Sequence, residues 1–454
     1  MKRLLLCALA LVWIAAVGLA LAEQRFPPPD FDGGHQIPLT ATPSPRPLGL
    51  AWMDVAVLGG SLALASYFVV RLRSRRAVFW LSLFSLAYFG FYRKGCVCSI
   101  GSIQNLALAM FDATYQLPLT VAFFFLAPLV VALFAGRTFC AAVCPHGALQ
   151  DLALLKPIKV PGWLEHGLSV LPFIYLGIGA ALAATGSTFL ICRYDPFVPL
   201  FRRSGSLTML ALGLGFVALA VFVGRPYCRF LCPYGALLRL AGSLSKWRVR
   251  ITPDACTQCR LCEDSCPYGA IRKPAVYSPD ASTLGEDRRR LGRYVVLLPA
   301  LVLVCAWLGS QLSAPASRLH PTVNLAEKLA LTKLQPGTPT ARPSSSVPTP
   351  ESLALGRAED NPKELLESAL AIRRRFNTAG WVFGGWVGLV IGVKLISLSM
   401  RSARTDYEPD RGACLACARC FLSCPNEHVR LGRLTGAGAA ASPVAIAQPM
   451  VPGS

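Results

Sequence analysis

The sequence predicts an all-α polytopic membrane protein of seven to eight spanning helices, with a small, split α+β module on its inner side. Three observations lead there. The 454 residues are 54% hydrophobic and only 15% charged, with mean hydropathy +0.48. A soluble domain carries about 25% charged residues, so a large soluble enzyme and a disordered chain are both excluded. Long apolar stretches recur along the chain. The 17 cysteines fall in tight groups, a pattern of metal ligation more than of disulfides.

A spanning helix needs about 20 mostly apolar residues. Eight stretches qualify: 4–22, 50–70, 77–92 (the shortest), 117–135, 167–190, 207–223, 294–312 and 379–398. Residues 1–22 read equally as a signal peptide or a first spanning helix. Lys2-Arg3 resembles an n-region and Ala20-Leu21-Ala22 a cleavage site. An extracytoplasmic segment, 23–49, follows in either case. With that topology the inner segments 1–3, 71–76, 136–166, 224–293 and 394–454 hold 29 Lys and Arg against 12 Asp and Glu. The excess inside obeys the positive-inside rule, and Arg71, Arg73, Arg75 and Arg76 in one short loop are its clearest case. Arg373–Arg375 run against it. The net charge of +21 is thus a topology signal and not a nucleic-acid signal. The organisation expected is a transmembrane domain at 50–223, inner module halves at 224–293 and 399–434, spans at 294–312 and 378–398, an outer loop at 313–377 and a disordered tail at 435–454. Surface helices are expected at 323–334 and 362–376 of the outer loop, separated by a Pro/Ser/Thr-rich stretch at 335–352.

The strongest motif is Cys256-x2-Cys259-x2-Cys262-x3-Cys266-Pro267, repeated as Cys414-x2-Cys417-x2-Cys420-x3-Cys424-Pro425. This is the bacterial ferredoxin run for a [4Fe-4S] cluster, in which the fourth cysteine serves the other cluster of a two-cluster module. Cluster one then takes Cys256, Cys259, Cys262 and Cys424, and cluster two takes Cys414, Cys417, Cys420 and Cys266. Two expected spans separate the runs, so both return to the same, cytoplasmic side and can form one split bacterial-ferredoxin-like module. Zinc prefers paired C-x2-C arms with a longer spacer and fits this spacing poorly.

Two weaker pairs share a pattern, Cys140-x3-Cys144-Pro145 and Cys228-x3-Cys232-Pro233, each followed one residue later by Gly-Ala-Leu. Each follows the inner end of an expected span. Four thiols are the number one further Fe–S centre needs; buried, inert cysteines are the rival reading. Pro and Gly after the last cysteine are expected to turn the chain away from a site. Cys96, Cys98 and Cys192 fall at the outer face, where they could bind a redox cofactor or pair in an oxidising compartment. Cys7 and Cys305 lie in apolar stretches and read as packing. Asp54 reads as an interfacial helix-end acid, with a proton or quinone contact as the rival reading, and Asp195 as a turn former. No C-x-x-C-H motif, no histidine within an expected span and no Walker A or dinucleotide fingerprint occurs. Attached c-type haem, intramembrane bis-His haem, ATP and NAD are therefore not expected.

Through the C-x3-C-P pairs, both ferredoxin runs, Gly95–Gly101 and the Cys192–Phe197 stretch, residues 50–430 resemble the membrane polyferredoxins of the NosR/NapH type. The resemblance implies an electron carrier of the bacterial inner membrane, relaying electrons between the cytoplasm or the quinone pool and an extracytoplasmic reductase, flavoprotein or cytochrome subunit. Nitrous oxide and nitrate reductase systems are the examples. Residues 23–49 are too short for the FMN-binding domain of NosR-like proteins, so FMN is expected only through a partner. The rival function is maturation or redox sensing for a membrane or periplasmic metalloenzyme. Electron-transfer component describes the chain better than stand-alone enzyme.

Overall fold

The computed structural model describes residues 47–95, 98–247, 249–251, 256–275, 281–334, 362–400 and 404–432. Cys7, Cys96, Arg248, the stretch 4–22, most of 23–49, the stretch 335–352 and the tail 435–454 lie outside them. The described chain is mainly helical. Four helices are long and apolar enough to cross a membrane: Leu48–Val70, Gly162–Ala184, Glu286–Ser317 and Pro362–Ser399. Three shorter apolar helices, Ser102–Phe111, Leu119–Ala135 and Leu207–Ala220, stand beside them.

The boundaries follow local chemistry. The stretch expected at 77–92 is a helix over Arg75–Ser85, started by the Ser74 side chain accepting from the Ala77 N–H, and continues as a π-helical turn at Leu86–Tyr92. The surface helix expected at 362–376 and the span expected at 379–398 form one continuous helix, Pro362–Ser399. No proline interrupts it beyond its first residue, so the Arg373–Arg375 run simply extends the helix past its apolar part. The surface helix expected at 323–334 is present as Pro321–Leu334. Ser102–Phe111 was not among the expected spans.

Two of the long helices, Ala281–Ser317 and Pro362–Ser399, pack along a stripe of small residues. Gly380, Gly384, Gly388 and Gly392 recur every fourth position. A Cβ at Gly384 would strike the Cys305 carbonyl, and one at Gly388 would lie 2.9 Å from the Val302 Cα. Close backbone approach of this kind is how apolar helices gain packing where no water drives them together. It also accounts for Cys305 as a packing residue, since its Cβ lies 3.0 Å from that same Gly388 position. The Trp386 indole then ties the pair to Gly162–Ala184 by donating to the Phe173 carbonyl at 2.8 Å.

At one end of the bundle the two cysteine runs meet. Strand β1 (Ile271–Arg272) pairs antiparallel with β2 (Glu408–Pro409), with Ile271 opposite Pro409. A bridge between Ala275 and Arg404 and a hydrogen bond from Asp410 N to Ala270 O at 2.7 Å extend the ladder. The short helices Leu261–Asp264 and Arg419–Ser423 pack on each other.

Candidate metal centres and an outer thiol cavity

The two ferredoxin runs have the same unusual backbone. Gln258 and Arg260 adopt φ of 52° and 64°, and Ala416 and Ala418 adopt 54° and 62°. These are the second and fourth residues after the first cysteine of each run. A left-handed non-glycine residue costs on the order of 1–3 kcal/mol and persists where its surroundings fix it, often at ligand clamps. Such alternation turns successive N–H groups toward one point and makes an anion cradle of the kind found at Fe–S sites.

Around the β1–β2 pair the thiols form two groups, and Cys266 and Cys420 of the first also pack against the second. Cys266 lines one cavity with Cys414, Cys417 and Cys420. Cys262 and Cys424 are buried together, with Cys256 against them, and Cys259 acts electrostatically on both. Burial, then the charges of Cys259 and Cys424, push the Cys262 thiol up to about 12. Burial likewise pushes Cys414 up to about 12, against the pull of the Ala416 N–H. Bare thiolates are unfavourable here, so an anionic ligand set needs the positive charge of a metal. Among the described residues no three His, Cys, Asp or Glu side chains close on one metal ion. The ligands of a cubane stand at separate corners and need not converge.

A second set of thiols lies deeper. Cys140 and Cys144 are 7% exposed, and Cys228 and Cys232 6%. Cys140 sits in a π-helical turn, Phe139–Val143, and Cys228 in the short helix Pro226–Phe230. Cys144 and Cys232 are N-caps, because Pro145 and Pro233 open the helices Pro145–Leu152 and Pro233–Ser243. The prolines therefore start helices instead of turning the chain away: their fixed φ suits the first helical position, where no N–H partner is required. Both thiols thus meet the partly positive end of a helix. The Gly235 N–H donates to Cys232 Sγ at 3.3 Å, Gln150 Nε2 to Cys228 Sγ at 3.2 Å, and Arg137 Nη2 reaches Cys140 Sγ at 3.8 Å. Cys140, Cys144 and Cys228 all act electrostatically on Cys232.

Sequence reasoning missed the two arginines that organise this site. Arg137 and Arg225 each stand three residues before the first cysteine of a pair, and each pair carries a glycine three residues after its second cysteine. The contacts are reciprocal. A Cβ on Gly147 would lie 3.1 Å from Arg225 Nη1, and one on Gly235 would lie 3.5 Å from Arg137 Nη2. Arg225, wholly buried, donates to the carbonyls of Cys140 and Ala141. Arg137 donates to the Gly412 carbonyl at 3.2 Å, beside the second ferredoxin run. The repeated Gly-Arg-x2-Cys (Gly136 and Gly224) was the available signal.

Asp151 joins these layers. Its carboxylate accepts from Arg75 at 2.5 Å, Arg419 at 3.0 Å and Tyr268 at 2.8 Å, and pairs with Arg225 at 3.4 Å. Those partners come from a helix of the bundle, from both ferredoxin runs and from the buried thiol site. Burial raises the Asp151 pKa, but Arg225, Arg75 and Arg419 outweigh it and hold the carboxyl well below the usual range. A second clasp joins Arg73 to Glu427 at 2.8 Å. Two of the arginines read as a positive-inside signal are therefore also ion-pair partners of the rest of the chain.

On the other side of the buried thiols is a cavity of about 350 Å³, bordered by Cys98, Cys192, Asp54, Asp195 and Arg202. Gly101 admits the Cys192 thiol, since a Cβ there would stand 2.9 Å from it. Cys98 also borders a smaller cavity with Cys144 and His146, so the Cys98–Cys192 cavity and the buried thiols adjoin. Asp195 forms the expected turn by accepting from Phe197 N at 2.9 Å, and it also faces His146 Nε2 at 3.3 Å. Asp54 lies in the second turn of Leu48–Val70 and is held inside the protein. It is 2% exposed, accepts from Tyr88 at 2.8 Å and pairs with Arg93 at 2.9 Å.

The folded thiol sites and apolar helices define an iron–sulfur membrane protein. The 4Fe-4S binding domain family matches residues 117–161 and 206–252, one C-x3-C-P pair in each, and a further 4Fe-4S binding domain matches residues 249–272. Among curated proteins the chain is similar to NirI of Paracoccus denitrificans, 33% identical over 34% of this chain and 24% of that protein. It is similar to the methylamine utilization ferredoxin-type protein MauN of Paracoccus denitrificans, 30% identical over 32% of this chain and 53% of that protein. It is also similar to the regulatory protein NosR of Pseudomonas aeruginosa, 28% identical over 41% of this chain and 28% of that protein. The chain thus spans from about a quarter to about half the length of these relatives. No solved structure matches it. The chain is thus similar to membrane ferredoxin-type electron-transport proteins, NosR, NirI and MauN among them.

Proposed function

We propose that the chain is an inner-membrane electron relay with its ferredoxin module in the cytoplasm. Cys256, Cys259, Cys262 and Cys424 would hold one [4Fe-4S] cluster, Cys414, Cys417, Cys420 and Cys266 a second, and Cys140, Cys144, Cys228 and Cys232 a further Fe–S centre. Bound clusters would supply one-electron redox chemistry. The observation that carries the reading is the series of sites. The ferredoxin thiols, the Asp151–Arg225–Tyr268 junction, the four buried thiols and the Cys98–Cys192 cavity follow one another through adjoining contacts.

Each residue class has a defined task in that series. The left-handed loop residues aim N–H groups at a negatively charged ligand. Arg137 and Arg225 offset negative charge in a buried place, where it is otherwise costly. The outer cavity presents two thiols where an extracytoplasmic reductase, flavoprotein or cytochrome subunit could exchange electrons. The cytoplasm or the quinone pool would supply the other end, and seven to eight spans would hold the path. FMN would enter only through a partner.

Turnover tests this reading. The protein is placed in proteoliposomes with its module accessible, reduced with dithionite, and offered an acceptor on the opposite side. Reoxidation within the time of a catalytic cycle is expected. Centres that stay reduced would support a maturation or sensing role instead.

A further inference from the structure

A groove of about 680 Å³ lies where the second ferredoxin half meets the helices, apart from every thiol site described above. Its two walls differ in chemistry. One is apolar and comes from two of the four long helices: Phe173 from Gly162–Ala184, with Trp386, Leu389, Val390 and Val393 from Pro362–Ser399. Leu389 and Val393 present much of their surface outward. The other wall is cationic, with Arg239, Arg272, Lys394, Arg404 and Arg411 against the carboxylates of Glu408 and Asp410.

The acids do not balance that wall. Asp410 is engaged by Arg272 and by the N–H groups of Gly412 and Ala413 at 2.9 and 2.8 Å. Arg239 lies flat against Gly412, where a Cβ would come within 3.2 Å of its Cγ. The groove therefore asks for a ligand with a negative head and a long apolar body. Its apolar wall is built from helices long and apolar enough to cross a membrane, and such a wall suits a molecule of the bilayer. Basic pockets between spanning helices are suited to anionic lipid headgroups.

We propose that this groove binds an anionic phospholipid, its headgroup among Arg239, Lys394 and Arg411 and its acyl chains along Trp386, Leu389 and Val393. The lipid would fasten the second ferredoxin half to the Gly162–Ala184 and Pro362–Ser399 helices. The inference does not depend on which thiols ligate metal.

Native mass spectrometry of the full-length protein in a non-ionic detergent tests it. Phosphatidylglycerol, phosphatidylcholine, inorganic phosphate and a short-chain quinone are added separately at matched concentrations. Phosphatidylglycerol should bind and should not be displaced by the other three. Arg239→Gln with Lys394→Gln should weaken its binding about thirtyfold, from two interfacial cations removed, with the circular dichroism spectrum unchanged. If the double variant loses its fold, Lys394→Gln alone is read, for which about fivefold is expected. Equal binding of phosphatidylcholine, displacement by phosphate or the quinone, or undiminished binding by the folded variant would each overturn the proposal.

Discussion

The ferredoxin loops and the C-x3-C-P pairs present their thiols in surroundings that differ in degree. Of the eight loop thiols Cys259 is exposed, Cys256, Cys266, Cys414, Cys417 and Cys420 are half-buried, and Cys262 and Cys424 are buried. Cys140, Cys144, Cys228 and Cys232 are all buried. The loops rely on backbone, with left-handed residues at matching positions of both runs and the Ala416 N–H donating to Cys414 Sγ at 3.4 Å. The buried pairs add helix N-termini, Arg137, Arg225 and Gln150. The difference teaches that a site near water can rely on loop geometry, whereas a buried one needs fixed charge. Reduction potential depends on both hydrogen bonding to sulfur and solvent access, so the two regions should differ in potential.

The comparison can be broken most severely at the loops. Cys424→Ser should abolish the centre assigned to Cys256, Cys259 and Cys262, lowering iron by about four per chain. Loss of the other loop centre instead would show that each run ligates alone. A smaller effect is expected at the junction. Asp151→Ala leaves Arg225 buried without its carboxylate partner, and breaking a buried pair costs about 3–5 kcal/mol. Denaturant unfolding in detergent would measure it, and a loss under about 1 kcal/mol would mean that the junction behaves like a surface ion pair.

The pH dependence sharpens the same point. The Asp151 carboxyl is held below its ordinary value, so its contribution is present above the unfolded value near about 4 and is lost as pH falls further below that. Wild-type unfolding should therefore become easier with acid below about pH 4, and Asp151→Ala should show less of that slope. The smallest effect is electronic. Gln150→Leu removes an N–H that faces Cys228 Sγ. A hydrogen bond worth about 1 kcal/mol corresponds to about 40 mV for one electron, so the buried centre should fall in potential by about that much. Redox titration followed by EPR would detect it; a potential unchanged in a variant with full iron content would remove Gln150 from the account.

The two regions also differ in how much of them could be read beforehand. The ferredoxin runs are legible because their spacing is local, and β1–β2 pairing brings the two runs together. The C-x3-C-P pairs were visible as a repeat, and Gly-Arg-x2-Cys marked Arg137 and Arg225, but the distant partners of Arg137, Arg225 and Asp151 were not visible, because they lie far along the chain. The partners of Asp54 were hidden for the same reason, since Tyr88 and Arg93 reach it from a later segment. Helix ends were blurred where no breaker stands, as in Pro362–Ser399. The glycine stripe of that helix was written in the sequence at four-residue spacing; its partner, Ala281–Ser317, required the fold.

The claim that the buried pairs form a redox centre of their own is tested most directly by iron and EPR analysis of anaerobically purified Cys140→Ala and Cys228→Ala proteins. The wild type should hold about 12 iron atoms per chain in three cubanes. Each variant should lose about a third of them and one EPR signal, with the loop signals intact. Full iron and an unaltered spectrum in both variants would contradict the account and leave these four cysteines as packing residues.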